Sequence, residues 1–155
     1  NYTLMTEIIR EIQEEDRPFC LELIQSCILH VNSRNYTPQF IKSLTESYSK
    51  NFMRRPERST FVLEKDGILV GTGSIILSEG RINDMFIDVE NHNKGFGKSL
   101  MAHLENIAQE NSLKALFLYS SISGVNFYEK VGYTQVSQLD HGAGNIEIKM
   151  EKKLV

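Results

Sequence analysis

The segment HNKGFGKSLM, from His92 to Met101, places two glycines and two lysines directly before an apolar pattern with helical spacing. Glycine lets the backbone approach a ligand closely, and the unpaired N–H groups of a first helical turn attract negative charge. The segment is therefore typical of a phosphate-binding turn. Walker loops, dinucleotide-binding loops and coenzyme A loops all use such a turn, and they indicate different classes of protein.

The spacing of the glycines argues against the first two kinds of loop. A Walker loop requires a glycine five residues before Gly97, where this sequence has His92. A dinucleotide-binding loop requires a glycine three residues after Gly97, where helix and strand pack closely, and this position is Leu100. The spacing therefore fits neither of these two loops.

Hydrophobic periodicity and turn signals place this segment between a strand and a helix. Pro38 follows a threonine at the expected start of a helix, and Asp66-Gly67 separates two strand-like runs as a hairpin turn. The element order is β, α, α, β, β, β, α, β, α, β, β, which predicts a mixed α/β sheet in one domain. Strands are expected at residues 6–13, 59–65, 68–77, 80–89, 114–120, 133–139 and 145–154, and helices at residues 14–31, 38–52, 123–133 and directly after Gly97.

Three further expectations concern packing in the first part of the sequence. Cys20 and Cys27 lie about two helical turns apart, beyond disulfide reach, so we expect reduced core thiols. The polar loop NFMRRPERS, residues 51–59, is expected to be a solvated connection. The residues expected on the buried stripe of the first helix are Phe19, Leu23, Cys27 and Val31.

The composition is that of one globular domain spanning residues 1–155. The sequence has 41% hydrophobic and 24% charged residues, and a formal net charge of −3 gives no general attraction to nucleic acid or an anionic membrane. No apolar run approaches the roughly 18 residues that span a bilayer, and no leader pattern opens the sequence, so a cytoplasmic protein is expected. Residues 1–4 precede Met5 and are expected to be remnants of processing or expression.

The turn, a second motif and the element order together resemble the GNAT acetyltransferase family. Gly95-x-Gly97 is similar to the family's pyrophosphate loop, Arg/Gln-x-x-Gly-x-Gly/Ala, and NFYEKVGY, residues 126–133, is similar to its FYEKLGF signature. The resemblance implies a single-domain α/β fold with a mixed, mostly antiparallel sheet of about seven strands, about four helices, and a splayed V between the fourth and fifth strands. It also implies acetyl transfer from acetyl-CoA to a primary amine by direct attack in a ternary complex.

The resemblance assigns the coenzyme diphosphate to the turn and to the first turn of the following helix. His92 occupies the family's Arg/Gln position, and imidazole lacks the permanent charge and the fork of a guanidinium. We therefore expect coenzyme binding to weaken as the pH rises and His92 loses its proton. The alternative is that His92 caps the turn and faces solvent. The expected coenzyme contacts are His92, Lys94, Gly95, Phe96, Gly97, Lys98 and Ser99, with Ser121 and Asn126 either on the pantetheine arm or simply at a helix entry.

The resemblance also implies how the thioester would be held and cleaved. A bulge should splay the strand NDMFIDV from FLYS, and a backbone N–H near Phe86 or Ile87 would then polarise the thioester carbonyl. Tyr128 matches the family tyrosine that can protonate the departing thiolate, since a phenol is protonated at neutral pH. The alternative for Tyr128 is an aromatic core residue, which is the role expected of Phe127.

The acceptor amine must lose a proton, commonly to a carboxylate through water. Asp84 is the best-placed carboxylate on the strand before the turn, with Glu79 as a substitute. The family's usual acidic position falls on or near Arg81 and Asn83, so the sequence departs from the pattern there. Asp84 could equally be a solvated strand residue or the partner of an arginine.

The acceptor is expected around Tyr36 and Phe40 and the loop DHGAGN, residues 140–145, and a small-molecule amine and a peptide N-terminus both stay open. The alternative functions are a non-catalytic coenzyme A-binding regulatory module and a plain interaction domain. The family often dimerises, which allows a homodimer here. No metal site is predicted, because the four histidines lack a second ligand at a metal-typical spacing, and His103 is expected to be a surface or packing residue.

Overall fold

A computed structural model describes residues 6–155 as a single seven-stranded sheet with helices on both faces. The strand order is β1-β2-β3-β4-β5-β7-β6. The strands are β1 (Glu7–Glu11), β2 (Ser59–Lys65), β3 (Ile68–Ile76), β4 (Arg81–Ile87), β5 (Ala115–Ser120), β6 (Thr134–Asp140) and β7 (Ile146–Lys153). The α-helices are α1 (Arg17–His30), α2 (Pro38–Asn51), α3 (Phe96–Glu110) and α4 (Val125–Lys130), with 3-10 turns at Glu14–Asp16, Asn32–Asn35, Val89–Asn91 and Ile122–Gly124.

Local sequence signals explain several of these boundaries. Asp66 and Gly67 have φ angles of 51° and 81°, the left-handed pair that a two-residue turn between twisted strands requires. Thr37 accepts a hydrogen bond from the Phe40 N–H at 3.3 Å, and Pro38 occupies the first helical position of α2. The predicted hairpin and the predicted start of α2 are both confirmed.

The sheet is antiparallel except between β4 and β5, which run parallel. These two strands share one residue pair, Arg81 with Phe117, and the Phe117 N–H donates to the Gly80 carbonyl at 2.9 Å. Beyond that pair the strands diverge, and within residues 6–155 the edges that face each other have no strand partner. The predicted V between the fourth and fifth strands is therefore confirmed.

Two apolar cores cover the two faces of the sheet, because successive side chains of a strand point to opposite faces. The first contains α3 and is joined by partly buried side chains of α4, and the second lies under α1 and α2. Fully buried members of the first core include Leu100, Leu104, Leu116, Leu118 and Met150. Members of the second core include Ile24, Ile28, Ile41, Phe52 and Val62.

Helix α1 differs from its prediction in the face that it buries. Phe19 is 65% exposed, so it does not belong to the buried stripe, and Val31 is only partly buried. The helix is apolar on several sides, so the period alone did not fix its orientation. The residues that α1 buries are Cys20, Leu23, Ile24, Cys27 and Ile28.

Other expectations are refined by the structure. Strand β1 is shorter than residues 6–13, and the expected processing remnant, residues 1–4, lies outside the described residues. The loop after α2 is not simply solvated, because Arg54 pairs with Glu14 at 2.6 Å and Arg58 pairs with Asp84 at 3.2 Å. Both cysteines are free and buried, as predicted. No helix within residues 6–155 is long and apolar enough to cross a membrane.

Candidate functional site

An elongated cavity of about 780 Å³ opens where β4 and β5 diverge. One end is bounded by the N-terminus of α3 and by α4, and the other end lies under α1 and α2. The cavity therefore joins segments that are far apart in the sequence. The predicted site residues on its wall are Asp84, Phe86, Ile87, His92, Gly95, Phe96, Gly97, Lys98, Ser121, Asn126 and Tyr128.

The N-terminus of α3 presents free backbone donors to this cavity. Gly95 occupies the capping position with φ 84°, and no side chain of the described residues caps the helix. The first amide to bond within the helix is that of Ser99, which donates to the Gly95 carbonyl at 3.1 Å. The amides of residues 96–98 precede it and are left for a ligand, at the positive end of a 15-residue helix.

Gly97 favours close packing rather than an unusual backbone angle. A Cβ atom at this position would lie 2.9 Å from the ring of Phe127 on α4. A glycine therefore allows α3 and α4 to approach each other beside the cavity. Phe127 packs against the first core, which is the role expected of it.

The side chains of the turn divide into two groups. Lys98 is exposed and lines the cavity, whereas Lys94 lies off the wall with its Nζ 3.4 Å from Asn91 Oδ1. Ser99 also lies off the wall, and its hydroxyl donates to the Gly95 carbonyl at 3.2 Å. The Phe96 side chain is buried in the core, so only its backbone is available to a ligand. The structure thus does not bring Lys94 and the Ser99 side chain to the cavity.

His92 is exposed and folds back onto the end of β4. Its Nε2 lies 2.7 Å from the Ile87 carbonyl oxygen. Because a carbonyl oxygen only accepts, Nε2 carries the proton in this contact, and a neutral ring then has no second donor for a phosphate. Protonation would supply that donor at Nδ1. The contact matches the alternative in which His92 caps the turn, and a phosphate contact stays a prediction.

Strand alternation selects Ile87 over Phe86 as the residue that directs its N–H into the cleft. The Asp88 N–H donates to the Val70 carbonyl of β3 at 2.8 Å, so Asp88 and Phe86 direct their backbone groups toward β3. Ile87, between them, faces the diverging side. Its carbonyl also accepts from the Cys27 thiol at 3.1 Å, and burial raises the pKa of that thiol to about 12.

A β-bulge in β4 places Asp84 on the wall of the cavity. Thr72 pairs with Phe86 and Ser74 pairs with Asn83, so two residues of β4 oppose one of β3. Asp84 itself has φ 55°, a left-handed value that few residues other than glycine adopt. The predicted bulge is therefore present.

Three side chains donate hydrogen bonds to the Asp84 carboxylate. They come from the Tyr48 hydroxyl at 3.1 Å, the Ser74 hydroxyl at 3.1 Å, and Arg58 Nη1, at 3.3 and 3.2 Å from the two oxygens. Asp84 is thus an arginine partner, one of the alternatives that the sequence left open. Glu79 is exposed in the turn before β4 and is absent from the cavity wall described by residues 6–155.

Tyr128 presents a neutral phenol to the cavity. Its ring packs 5.1 Å from the Phe127 ring and 6.0 Å from the Tyr133 ring. Its hydroxyl has no hydrogen-bond partner within residues 6–155, and burial raises its pKa well above the ordinary value for tyrosine. The hydroxyl is therefore protonated at neutral pH and available to donate.

The far end of the cavity joins the segments expected around the acceptor. Tyr36 and Phe40 line it, and the Phe40 ring lies 5.1 Å from the ring of His141. Asn145 is buried, accepts from the Thr37 N–H at 2.8 Å and donates to the Thr37 hydroxyl at 3.0 Å. The loop at residues 140–145 is therefore attached to the entry of α2.

Sequence reasoning missed several residues of this site. Tyr48, Glu147 and Tyr119 line the cavity, and Arg58 reaches Asp84 from the loop before β2. None of them lies in a recognisable motif, and each acquires its position through pairing over long distances in the sequence. No group of three or more histidine, cysteine, aspartate or glutamate side chains within residues 6–155 could hold a metal ion. His103 packs against Phe61, with ring centroids 4.9 Å apart, in agreement with a packing role.

Comparison with known proteins agrees with this architecture. S-(2-succino)cysteine N-acetyltransferase from Bacillus subtilis (strain 168) is 25% identical over 112 residues, which cover 63% of this chain and 68% of the relative. A GCN5-related N-acetyltransferase from Rhodopseudomonas palustris superposes with a TM-score of 0.85 at 17% identity over 99% of both chains. The PaiA N-acetyltransferase from Thermoplasma acidophilum, solved with coenzyme A, gives 0.79 at 21% identity over 96% of this chain and 99% of its own. Residues 27–154 match the family described as the acetyltransferase (GNAT) domain, and the chain therefore belongs to the GNAT acetyltransferase family.

Proposed function

We propose that the protein is an N-acetyltransferase that moves the acetyl group of acetyl-CoA to a primary amine of a small molecule or peptide. One observation carries the proposal: a single cavity connects the free helical amides of α3, the unpaired edges of β4 and β5, and a chamber under α2. The helical amides suit a diphosphate, the strand edges suit an extended pantetheine arm, and the chamber suits an amine. Family membership supports the same chemistry.

The residues present fit coenzyme A at two points. The amides of residues 96–98 and the Lys98 ammonium would hold the diphosphate, because unpaired N–H groups and positive charge converge there. The diverging edges of β4 and β5 offer backbone groups to the amides of a pantetheine arm, as an added strand would use them. Ser121 and Asn126 lie on the cavity wall beside that path.

When bound, acetyl-CoA would supply an activated acyl group as a thioester. The Ile87 N–H would donate to the thioester carbonyl oxygen and stabilise the negative charge that develops there. The amine nitrogen would bond to the carbonyl carbon as the carbon–sulfur bond breaks. Tyr128 would give its proton to the departing thiolate and regain one from solvent, and the proton lost by the amine would pass to solvent or to a carboxylate of the chamber.

Asp84 was predicted to be that carboxylate, and its hydrogen bonds favour a different role. Arg58, Tyr48 and Ser74 occupy its lone pairs and tie together β3, β4, α2 and the loop before β2. Asp84 would then stabilise the bulge that opens the cleft. Its role as the base stays a prediction, which a substitution described below can decide.

Isothermal calorimetry with acetyl-CoA tests the coenzyme site. Wild type is expected to bind with micromolar affinity, and Gly97→Glu is expected to abolish binding, because a carboxylate then meets the diphosphate. Gly97→Ala is the matched control, since its Cβ causes the same contact with Phe127 without adding charge. It should retain binding, and circular dichroism should show all three proteins folded.

A release assay for coenzyme A then tests catalysis with a panel of primary amines. Transfer by wild type that is lost in Gly97→Glu would support the proposal. Binding of acetyl-CoA without transfer to any amine would instead support the non-catalytic coenzyme A-binding module. If folded wild type does not bind acetyl-CoA, the proposal is wrong.

A further inference from the structure

Aromatic side chains enclose the end of the cavity beyond the V. We call this space the acceptor chamber and define it by Tyr36, Phe40, Leu44, Tyr48, Asp84, Phe86, Tyr119 and Glu147, all of which line the cavity. The Tyr36 and Phe40 rings lie 5.0 Å apart, and the Tyr48 ring meets the Phe86 ring edge-on at 5.4 Å. The walls therefore offer apolar area to a ligand and fixed ring positions.

Two carboxylates line the acceptor chamber, and they differ in how they are paired. Asp84 is neutralised by Arg58 and bonded to two hydroxyl groups. Glu147 Oε1 lies 2.7 Å from His141 Nε2, whereas its Oε2 has no hydrogen-bond partner within the described part of the chain. The Glu147 side chain is 29% exposed. Glu147 thus keeps one oxygen free to accept from a ligand.

The negative charge of Glu147 affects the pKa values of two tyrosines in the chamber. Burial is the main cause that raises the pKa of Tyr36, and the negative charge of Glu147 adds to it. Burial and Asp84 raise the pKa of Tyr48, and Glu147 again contributes. Both phenols are therefore neutral. Because Arg58 already neutralises Asp84, Glu147 is the negative group in the chamber that a ligand can neutralise.

No lysine or arginine of residues 6–155 lines the acceptor chamber. The lysines on the cavity wall, Lys98 and Lys130, belong to α3 and α4 at the coenzyme end. Arg81 stacks on the Tyr119 ring at 5.0 Å and Lys149 on the Phe117 ring at 4.9 Å, and neither lies on the wall. An acidic acceptor would meet no opposite charge in the chamber, and a polycation would find one free carboxylate.

We propose that the acceptor is a primary monoamine with an apolar, preferably aromatic body, whose ammonium group is received by Glu147. The body packs against Phe40, Tyr48 and Tyr119, and His141 holds the Glu147 carboxylate in place. This assignment rests on the proposed acetyltransferase function. Glu147 is a binding residue for the protonated acceptor in this scheme and determines specificity by charge, and the bound ammonium gives one proton to solvent before its nitrogen attacks the thioester carbon.

The test compares acetyl transfer to 2-phenylethylamine, to spermidine as a polycation, and to S-(2-succino)cysteine as an acidic amine. Wild type is expected to prefer 2-phenylethylamine in kcat/KM by about tenfold or more, because all three amines carry an ammonium group and only this one has an aromatic ring to bury in the chamber. Preference for spermidine or for S-(2-succino)cysteine would overturn the assignment and keep the acetyltransferase function. Failure to transfer to any of the three, in a panel where another amine is acetylated, would also overturn it.

Two variants locate the effect in the chamber. Glu147→Gln keeps the shape of the side chain and should raise KM for 2-phenylethylamine about tenfold at an unchanged acetyl-CoA dissociation constant. Glu151→Gln, on the same face of β7 but outside the cavity wall, is the matched control and should leave KM unchanged. An unchanged KM in folded Glu147→Gln would contradict the role of its charge.

Phe40→Ala provides a second and independent measurement, because Phe40 is only partly buried and its loss should leave the fold intact. The variant should lower kcat/KM for 2-phenylethylamine about tenfold and change that for ethylamine little, since ethylamine has no ring to pack. An equal loss for both amines would show that packing on Phe40 does not recognise the apolar body of the acceptor. No transfer by wild type to any amine would overturn both this assignment and the proposed function.

Discussion

Arg58 Nη1 lies 3.2 Å from Asp84 Oδ2, and the Asp84 side chain is only 5% exposed. The pair joins the loop before β2 to the bulge in β4, so it holds the strand that forms one side of the cleft. Breaking a buried pair by removing one partner leaves the other without compensation, and such losses are larger than those at the protein surface. The pair therefore links the stability of the fold to the shape of the site.

Asp84→Asn is expected to lower the free energy of unfolding by about 2 to 4 kcal/mol, because the Arg58 charge loses its partner. Chemical denaturation measures this loss. Tyr48→Phe is the control, since it removes one hydrogen bond and keeps the carboxylate, and it should cost about 1 kcal/mol. A fall of kcat by about 100-fold in Asp84→Asn with unchanged stability would instead identify Asp84 as the base.

Tyr128→Phe should lower kcat by about 100-fold or more, since the proton donor to the thiolate is removed. Stability and acetyl-CoA affinity should change little, because the hydroxyl has no partner within residues 6–155. Tyr133→Phe is the matched variant: its hydroxyl bonds Glu105 at 3.2 Å, away from the cavity wall. Steady-state kinetics should show the loss in Tyr128→Phe alone, and equal kcat values for both variants would contradict the assignment.

Lys98→Glu should raise the acetyl-CoA dissociation constant by about tenfold, and the effect should shrink at high salt, because an exposed charge near the diphosphate is reversed. Lys94→Glu changes the net charge equally but lies off the cavity wall. Calorimetry at low and high salt distinguishes a local effect of the charge at position 98 from an effect of the net charge of the protein. Equal effects of the two substitutions would mean that Lys98 has no specific contact.

The ion pair between Arg10 and Asp16 should make stability depend on pH. Hydrogen bonding to Arg10 lowers the pKa of Asp16 below its ordinary value of 3.8, against the opposing effect of burial. A carboxyl whose pKa is lowered in the folded state stabilises the fold at pH values above its ordinary pKa. This stabilisation is lost as the pH falls through the folded-state pKa. Asp16→Asn should therefore cost about 1 to 3 kcal/mol at neutral pH.

The cost of Asp16→Asn should disappear in acid, where wild type has lost the same contribution. Denaturation of both proteins from neutral pH to below the lowered, folded-state pKa of Asp16 provides the measurement. Glu14→Gln, at the exposed pair with Arg54, should change stability little at any pH in this range. A cost of Asp16→Asn that does not vary with pH would point to packing rather than charge.

Signals that act within a few residues were sufficient to predict much of the fold. The Asp66-Gly67 turn, the Thr37-Pro38 helix start and the glycines before α3 each fix local backbone geometry, so the elements around them were placed correctly. The V followed from the resemblance to a family and not from periodicity. On α1 the predicted stripe is correct for Leu23 and Cys27 and wrong for Phe19, which shows the limit of a period when a helix is apolar on several sides.

The details of the site depend on contacts that no local pattern contains. The Tyr36 hydroxyl donates to the Ile146 carbonyl at 3.0 Å, across 110 positions of sequence, and accepts from the Ile122 N–H at 3.2 Å. Arg58 reaches Asp84 only because β2, β3 and β4 pair in one register. Glu147 enters the chamber through the pairing of β7 with β5. Such positions follow from the assembled sheet, so the sequence could suggest the reacting groups but not their partners.

The single residue pair between β4 and β5 has a consequence for hydrogen–deuterium exchange. The Ile87 N–H faces the diverging side of β4 and has no strand partner within residues 6–155, whereas the next amide, Asp88, donates to Val70 at 2.8 Å. These two adjacent amides should therefore exchange at different rates in the free protein. A ligand lying along the cleft would slow exchange at Ile87 and leave Asp88 unchanged, so the two amides together report cleft occupancy with an internal reference.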